Sequence, residues 1–354
     1  MGPVGPAHSP PVEPGCLPPA QDLLWFPVED ASAVGAVRRA ASALAQRLAF
    51  PEQRVAEVGI VASELATNLR KHADQGVLLL RSAPTGDPHD LVEMLTIDSG
   101  PGMAEPDRAW QDGRSTAGSL GIGLGAVARL ADSYGLLSEP ERGSVFMARL
   151  RSKKRTSTPP TDSIAGVTRA VKGESVCGDT YAVRRDGDRL SVMMCDGSGH
   201  GPLAAAASQL AARVFCTGEQ FPAEVAVARI HAALEGTRGG AVAVADYDPT
   251  TTTVRYAGIG NISGSLVTAG DRQGMVSLPG IAGYRARPVQ VFQYQAPSGT
   301  LLVMHSDGLT ERWTLDRRRR VTAAEPVLIA GALLRDAGVH RDDASVVVAR
   351  LGTP

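Results

Sequence analysis

Four aspartates in the second half of this 354-residue chain are the side chains best suited to chemistry. Each lies beside a glycine or directly before an apolar run: Asp179, Asp196, Asp307 and Asp342. Carboxylates without nearby cysteines or histidine pairs favour hard cations such as Mg²⁺ or Mn²⁺ over zinc. Several carboxylates around two such ions would lower the pKa of a bridging water and neutralise the charge of a phosphate ester. This pattern predicts a two-metal site that hydrolyses phosphoesters.

A different set of polar residues lies in the first half. Glu64 and Asn68 are four residues apart, so on a helix they project from the same face. There a carboxylate can orient a water, and an amide oxygen can bind Mg²⁺. Asp98 ends an apolar run and enters a turn in which Gly100 and Gly102 permit a close approach of the backbone. An aspartate in that position can accept a hydrogen bond from an exocyclic amine.

A glycine-rich stretch from Gly118 to Gly125 completes the second set of residues. It leads into a predicted helix over 126–131, an arrangement that aims backbone N–H groups at an anion. We expect Gly121, Gly123 and Gly125 to approach phosphates. Together with Glu64, Asn68 and Asp98 they predict a site for ATP with Mg²⁺.

Hydrophobic periodicity predicts the elements that carry these residues. In the first half, apolar residues recur at helical spacing on both sides of Pro51, which predicts two amphipathic helices over 34–48 and 55–69. Strands are expected over 77–81, 91–97 and 144–150. These elements predict an α/β domain with helices on one face of a mixed sheet.

The second half alternates many short strand-like runs with a few apolar helical segments. The strands are expected over 190–195, 240–247, 252–258, 300–305 and 344–350, and the helices over 203–216, 222–235 and 324–335. This pattern is typical of a layered α+β sandwich.

Composition divides the chain into four segments. Residues 1–22 are rich in proline and predict a disordered tail. A basic cluster followed by Ser, Thr and Pro marks a linker over 153–163. We therefore expect one domain over 23–152 and a second over 164–352.

Charge and cysteine usage exclude several classes of protein. The net charge of −1 and the lack of a basic patch argue against nucleic-acid binding, and no apolar run reaches the length of about 18 residues that a membrane helix needs. No CxxC pair occurs, so the four cysteines indicate neither a zinc site nor a disulfide framework. A cytoplasmic protein is expected.

The first half resembles the GHKL ATP-binding fold, and in particular the serine kinases of anti-sigma-factor switches. Ser63 to Asn68 is similar to their N box, Asp98 to Gly102 to their adenine-binding box, and Gly121 to Leu124 to their second glycine box. The resemblance implies that Asn68 holds Mg²⁺, Glu64 acts as base, Asp98 meets adenine and the glycine segment forms a lid. It leaves open whether the domain transfers phosphate or only binds ATP as a sensor or docking module.

The second half resembles the SpoIIE-like branch of the type 2C metal-dependent serine/threonine phosphatases. The matching motifs are Gly178-Asp179, Asp196 to Gly201, Ser306 to Glu311 and Asp342 to Ser345. The resemblance implies an α-β-β-α sandwich in which Asp179 and Asp196 bind or bridge two ions. Gly197 would add a backbone carbonyl, and Asp307 and Asp342 would complete the ligands, with Asp343 as the alternative to Asp342.

Both resemblances together imply a bacterial signalling protein that dephosphorylates serine or threonine on a protein. The expected partner is a phosphorylated STAS-type antagonist or stressosome-type protein, with sigma or anti-sigma factors as further candidates and a homodimer left open. The alternative is a non-enzymatic partner-switching protein whose two sites have degenerated. Retention of all four aspartates argues against that alternative.

Overall fold

The computed structural model of the chain describes residues 16–17, 24–82, 91–106, 123–153, 163–268, 271–284, 288–315 and 319–352. The helices of the first half are α1 (Ala31–Arg47), α2 (Glu52–His72) and α3 (Gly123–Leu130). Its strands are β1 (Cys16–Leu17), β2 (Leu24–Pro27), β3 (Val77–Ser82), β4 (Leu91–Ile97), β5 (Ser133–Glu139) and β6 (Gly143–Arg151). Asp30 caps α1 by accepting hydrogen bonds from the backbone N–H groups of Ser32 and Ala33.

The first domain contains one five-stranded sheet in the order β2-β3-β4-β6-β5. The expected α/β architecture is confirmed, but every pairing in this sheet is antiparallel, so the sheet is not mixed. The sequence patterns gave no indication of β5, whose run contains Gly135 and several polar residues. Helices α1, α2 and α3 pack on one face of the sheet around a core that includes Leu65, Leu80 and Met94.

The second half folds into two stacked sheets. Its helices are α4 (Pro202–Cys216), α5 (Ala223–Ala233), α6 (Arg319–Ala323) and α7 (Pro326–Ala337). Its strands are β7 (Ile164–Arg169), β8 (Asp179–Asp186), β9 (Arg189–Gly197), β10 (Gly240–Asp248), β11 (Thr253–Ile259), β12 (Ser263–Val267), β13 (Arg272–Met275), β14 (Val291–Gln295), β15 (Leu301–His305) and β16 (Ala344–Arg350).

These strands form the expected α-β-β-α sandwich. A six-stranded sheet, β1-β8-β9-β10-β11-β14, faces a five-stranded sheet, β13-β12-β15-β16-β7. Apolar residues of both sheets meet in the middle, among them Met194, Tyr256 and Val347. Helices α4 and α5 cover the outer face of the larger sheet, while α7 covers the outer face of the smaller one.

Helix α7 also covers the second face of the first domain's sheet. Leu95 and Ile97 of β4 point away from α1 and α2 and lie in one core with Ile329 and Leu333 of α7 and with β15 and β16. Side chains alternate along a strand, so Met94 lies in the opposite core. At Gly331 an added Cβ would approach Cγ1 of Val145 to 2.7 Å, so glycine permits this close contact. The first sheet is thus buried on both faces, whereas helices were expected on only one.

Buried charges join the two domains beside this apolar contact. Glu93 of β4 is 1% exposed and accepts hydrogen bonds from Arg81 at 2.7 Å and Arg149 at 2.5 Å. Burial alone would raise the pKa of Glu93, but the two guanidinium groups hold it at about 2. Arg81 also donates to the backbone carbonyl of Gly166, and Arg149 pairs with Glu325, so both arginines reach into the second domain.

A disulfide corrects one expectation from the cysteine pattern. Cys16 and Cys216 are bonded, with their Cα atoms 5.6 Å apart, whereas Cys177 and Cys195 are free. The two bonded residues are 200 positions apart, so no local spacing could indicate the bridge. Cys16–Leu17 also pair with β8 as strand β1, which places this part of the predicted tail in a sheet.

The predicted boundaries of the two domains and of the linker over 153–163 stay predictions. Residues 154–162 of the expected linker lie outside the described residues. Within the described parts of the chain, no helix combines the length and apolar character that a membrane crossing requires.

We predict that Glu93→Ala will lower the free energy of unfolding by about 3–5 kcal/mol, because it leaves two buried guanidinium groups without their carboxylate. Urea denaturation would measure the change. Asp248→Ala is the control, since Asp248 pairs with Arg189 at the surface, where solvent screens the pair, and its loss should leave the urea midpoint almost unchanged. A loss below 1 kcal/mol for Glu93→Ala would contradict the structural role given to this cluster.

Candidate metal and nucleotide sites

Two of the predicted metal ligands are brought together by strand register. Asp179 begins β8 and pairs with Asp196 near the end of β9, so their side chains lie on the same face of neighbouring strands. Gly197 follows Asp196 where α4 approaches the strand, and a Cβ there would come within 2.2 Å of the carbonyl oxygen of Ala204. Glycine is therefore required at the position whose carbonyl was expected to serve as a ligand.

The smaller sheet supplies the other two predicted ligands. Asp307 follows β15, and Asp342 precedes β16, the neighbouring strand. The side chain of Asp307 lies close enough to Asp196 to affect its ionisation, and Asp342 is close enough to act electrostatically on both. The structure thus brings Asp179, Asp196, Asp307 and Asp342 to one edge of the sandwich.

These carboxylates disfavour one another's ionised form. Burial raises the pKa of Asp179 and of Asp196, and the negative charges of the neighbouring aspartates raise both further. The pKa of Asp307 is raised by burial and by the charge of Asp342. Bound cations would relieve this repulsion and keep the carboxylates ionised.

Other contacts test whether the cluster suits metal ions. Ser306 donates to Oδ2 of Asp179 at 2.6 Å, while Oδ1 of Asp179 is buried and has no hydrogen-bond partner among the described residues. Among the described residues, no group of three or more His, Cys, Asp or Glu side chains is arranged so that it could hold a metal ion as it stands. Mg²⁺ and Mn²⁺ commonly retain several waters, so an open cluster with a free buried oxygen fits such ions.

The neighbouring aspartates Asp342 and Asp343 have different surroundings. Asp343 is 2% exposed and accepts hydrogen bonds from the backbone N–H groups of Val171 at 2.7 Å and Gly178 at 2.8 Å. Asp342 is exposed, and the hydrogen bond that it accepts comes from the backbone N–H of Asp343. Asp343 therefore fastens the loop before Asp179, and Asp342 is the one free to meet a cation.

Sequence reasoning assigned no role to three polar residues near this cluster. Asn261 donates to Oδ2 of Asp307 at 2.7 Å, and Ser306 holds Asp179. Nη1 of exposed Arg238 lies 3.0 Å from the position that a Cβ would take on Gly199. The Gly260-Asn261 pair after β11 could have indicated Asn261. The sequence around Arg238 contains no pattern that would have indicated that residue.

Arg169 and Lys172, two other basic residues of the second domain, have surroundings that differ from those of Arg238. Arg169 donates to the backbone carbonyl of Val339 at 3.1 Å, and burial lowers its pKa, so it has a structural partner. Lys172 is exposed and lies in the turn after β7.

Glu64 and Asn68, the candidate nucleotide residues of α2, lie on one helix as expected. Glu64 and Asn68 are both half-buried, one turn apart on the helix. Nδ2 of Asn68 is buried and has no hydrogen-bond partner within the described parts of the chain. A buried amide without a partner costs free energy, and a bound ligand would supply one.

The Asp98 turn lies at the end of the same helix. Asp98 accepts a hydrogen bond from the backbone N–H of Gly100 at 2.9 Å, and burial raises the pKa of its carboxyl. A Cβ on Gly100 would come within 2.7 Å of the carbonyl of His72, the last residue of α2. Gly102 has a φ of +65°, in the left-handed region that favours glycine. Gly100 thus allows the turn to pack closely beside the helix that carries Asn68, and Gly102 allows it to pack against the backbone of Glu139.

The glycine-rich stretch is only partly described. Gly118 to Ile122, including Gly121, lies outside the described residues. Helix α3 begins at Gly123, three residues earlier than expected, and includes Gly125.

Two family models match separate parts of the chain. Residues 186–352 match the model for Stage II sporulation protein E (SpoIIE), and residues 26–149 match that for the histidine kinase-like ATPase domain.

Individual proteins are also similar to this chain. The serine/threonine-protein kinase RsbT of Bacillus subtilis (strain 168) is 31% identical over 113 residues, which are 32% of this chain and 84% of RsbT. A solved structure described as "The bacterial stressosome: a modular system that has been adapted to control secondary messenger signaling" is 30% identical, with a TM-score of 0.48, over 53% of this chain and 98% of that one. The phosphatase domain of SpoIIE from Bacillus subtilis, with a fragment of its regulatory domain, is 17% identical, with a TM-score of 0.44, over 90% of this chain and 94% of that one.

The different surroundings of Asp342 and Asp343 yield a prediction. Asp342→Asn should weaken Mn²⁺ binding about tenfold or more, with a change in metal-free stability within about 0.5 kcal/mol. Asp343→Asn should instead cost about 1–3 kcal/mol of stability, because a buried hydrogen-bond network loses an acceptor. Calorimetric Mn²⁺ titration and urea unfolding in metal-free buffer would measure the two effects. Weaker metal binding by Asp343→Asn with unchanged stability would assign the ligand to Asp343 instead.

Proposed function

We propose that this chain dephosphorylates serine or threonine on a partner protein. The premise is that it belongs to the SpoIIE family of type 2C phosphatases and carries a histidine kinase-like ATPase domain. The observation that carries this proposal is the meeting of four aspartates at one edge of the sandwich, with a buried oxygen of Asp179 left without a partner.

The residues of this chain would act by holding ions and substrate in place. Asp179, Asp196, Asp307 and Asp342, with the carbonyl of Gly197, would hold two Mn²⁺ or Mg²⁺ ions. When bound, such ions supply an activated water and positive charge for the phosphoryl group.

Neighbouring side chains orient the ligands and reach the substrate. The Ser306 hydroxyl fixes one oxygen of Asp179, and Asn261 fixes one oxygen of Asp307. Arg238, beside Gly199 and exposed at the rim, is the arginine that we assign to the substrate's phosphate.

The proposed substrate is a phosphorylated STAS-type antagonist or another stressosome-type protein in the cytoplasm. Support comes from the resemblance of the second domain to the SpoIIE-like branch and from the similarity of the first domain to a serine/threonine-protein kinase, RsbT. Sigma and anti-sigma factors remain further candidates for binding.

Mn²⁺-dependent hydrolysis of an aryl phosphate or phosphoprotein is the expected activity. Asp196→Ala should reduce the rate at least about 100-fold, because it removes a ligand shared by the cluster. Asp248→Ala is the matched control, since Asp248 lies at the far end of β10 and should leave the rate unchanged. Absence of hydrolysis with both Mn²⁺ and Mg²⁺ would refute the proposal and favour a non-enzymatic partner-switching protein.

A second activity is supported by the geometry of the first domain. Glu64 and Asn68 lie in the second half of α2, and the Asp98 turn packs against its last residue, His72. The unpaired Nδ2 of Asn68 is a donor that a phosphate oxygen of bound ATP would satisfy, which leaves its Oδ1 to bind Mg²⁺. We propose that this domain binds ATP and transfers its terminal phosphoryl group to the same class of partner. Glu64 would accept the proton of the attacking hydroxyl group.

The kinase activity should be visible when the phosphatase is disabled. Full-length protein carrying Asp307→Ala should transfer label from ATP to a STAS-domain protein, and Asp307→Ala combined with Asn68→Ala should not. Autoradiography of the separated proteins would measure the transfer. Binding of ATP without transfer would show that the domain acts as a sensor or docking module.

A further inference from the structure

Helix α7 of the phosphatase domain carries a buried arginine at its boundary with the ATPase domain. The side chain of Arg335 is 3% exposed, and its two Nη atoms have no hydrogen-bond partner among the described residues. Its Nε donates to Asp336 at 2.7 Å, and Nη2 lies 3.8 Å from the Glu139 carboxylate of the ATPase domain. A buried guanidinium with unpaired donors costs free energy, so packing alone does not explain an arginine here.

The hairpin between β5 and β6 links Arg335 to the Asp98 turn. Glu139 belongs to that hairpin, and its carbonyl oxygen is 1.9 Å from the position of a Cβ on Gly102. The backbone N–H of Glu141 donates to Pro101 at 2.8 Å, and that of Ser144 donates to Asp98 at 3.2 Å. The turn expected to meet adenine therefore rests directly on the hairpin that α7 contacts.

The charge of Arg335 also acts on this turn. Burial raises the pKa of Asp98, and the guanidinium of Arg335 opposes that rise electrostatically. An ionised Asp98 is the stronger acceptor for an exocyclic amine.

We propose that Arg335, contributed by the phosphatase domain, is a positioning residue of the nucleotide site, so that the Asp98 turn binds ATP tightly only while α7 is packed against the ATPase sheet. This inference rests on the ATP binding proposed above. An ATPase domain separated from the phosphatase domain would therefore lack Arg335 at its nucleotide site.

The same end of α7 touches the metal site. Ala337 accepts a hydrogen bond from the backbone N–H of Thr310 at 2.9 Å, and Val339 donates to the carbonyl of Gly308 at 2.8 Å. Gly308 directly follows Asp307. Arg335, which contacts the nucleotide domain, thus lies two residues before Ala337 and four before Val339, the two residues that contact the loop after Asp307. If nucleotide binding tightens the packing of α7 and this packing also holds the loop after Asp307, nucleotide and metal binding are coupled, and this coupling is reciprocal.

Nucleotide affinity tests the role of Arg335. Fluorescent mant-ATP with Mg²⁺ would be titrated into the full chain as wild type, Arg335→Gln and Arg335→Lys. We expect Arg335→Gln to weaken binding about tenfold, because a charged partner is lost, and Arg335→Lys to restore part of it. The control is Arg142→Gln, which breaks the exposed Arg142–Asp336 pair at the same interface and should change affinity less than about twofold.

The outcomes separate this inference from the function on which it rests. If the wild type does not bind mant-ATP, the proposed nucleotide site is wrong. If it binds and Arg335→Gln binds equally well, the nucleotide site stands and the role of Arg335 is refuted. Equal weakening by Arg335→Gln and Arg142→Gln would indicate a general loosening of the interface and would also refute it.

Hydrogen exchange tests the link to the metal loop. At constant Mg²⁺, ATP should slow exchange in peptides covering 98–103 and also in those covering 305–310 of the wild type. The same experiment would use Arg335→Lys, because this variant keeps the charge and remains available if Arg335→Gln does not fold. In Arg335→Lys, the ATP-dependent protection at 305–310 should be smaller than in the wild type. Protection confined to 98–103 in the wild type would overturn the proposed connection through α7.

Discussion

The structure depends above all on the burial of one antiparallel sheet between two sets of helices. The first domain's sheet has apolar side chains on both faces, and only one face is covered by its own helices. Helix α7 of the second domain covers the other. Burial of apolar surface is the main favourable contribution to folding, so this contact determines how the two domains are joined. The Glu93 cluster adds directional contacts at its edge.

At the candidate metal site the opposite physical constraint applies. Like charges are brought together where burial also disfavours ionisation, and the two effects act in the same direction on Asp179 and Asp196. The protein holds this arrangement with strand register and with the hydrogen bonds of Ser306 and Asn261. A cluster of buried, mutually repelling carboxylates indicates a functional site, because stability alone would favour fewer carboxylates at this position.

The two-domain division, the sandwich and the four aspartates could be predicted because local patterns carry them. The run over Leu91–Ile97 predicted a strand, but the burial of both its faces was not predicted, because the second face is covered by a helix from the other domain. Asp342 could not be distinguished from Asp343, since the N–H groups that Asp343 binds lie about 170 residues away. Distance along the chain likewise concealed the Cys16–Cys216 bridge.

Helix α7 has apolar residues all around its circumference, ten of which are buried. In a free-standing sandwich one side of such a helix would face water. The two halves are therefore poor candidates for exchange as independent modules. During evolution, a gene rearrangement that separated them would have required compensating polar substitutions along α7. The same substitutions would be the first to make if the phosphatase half were to be produced alone as a soluble reagent.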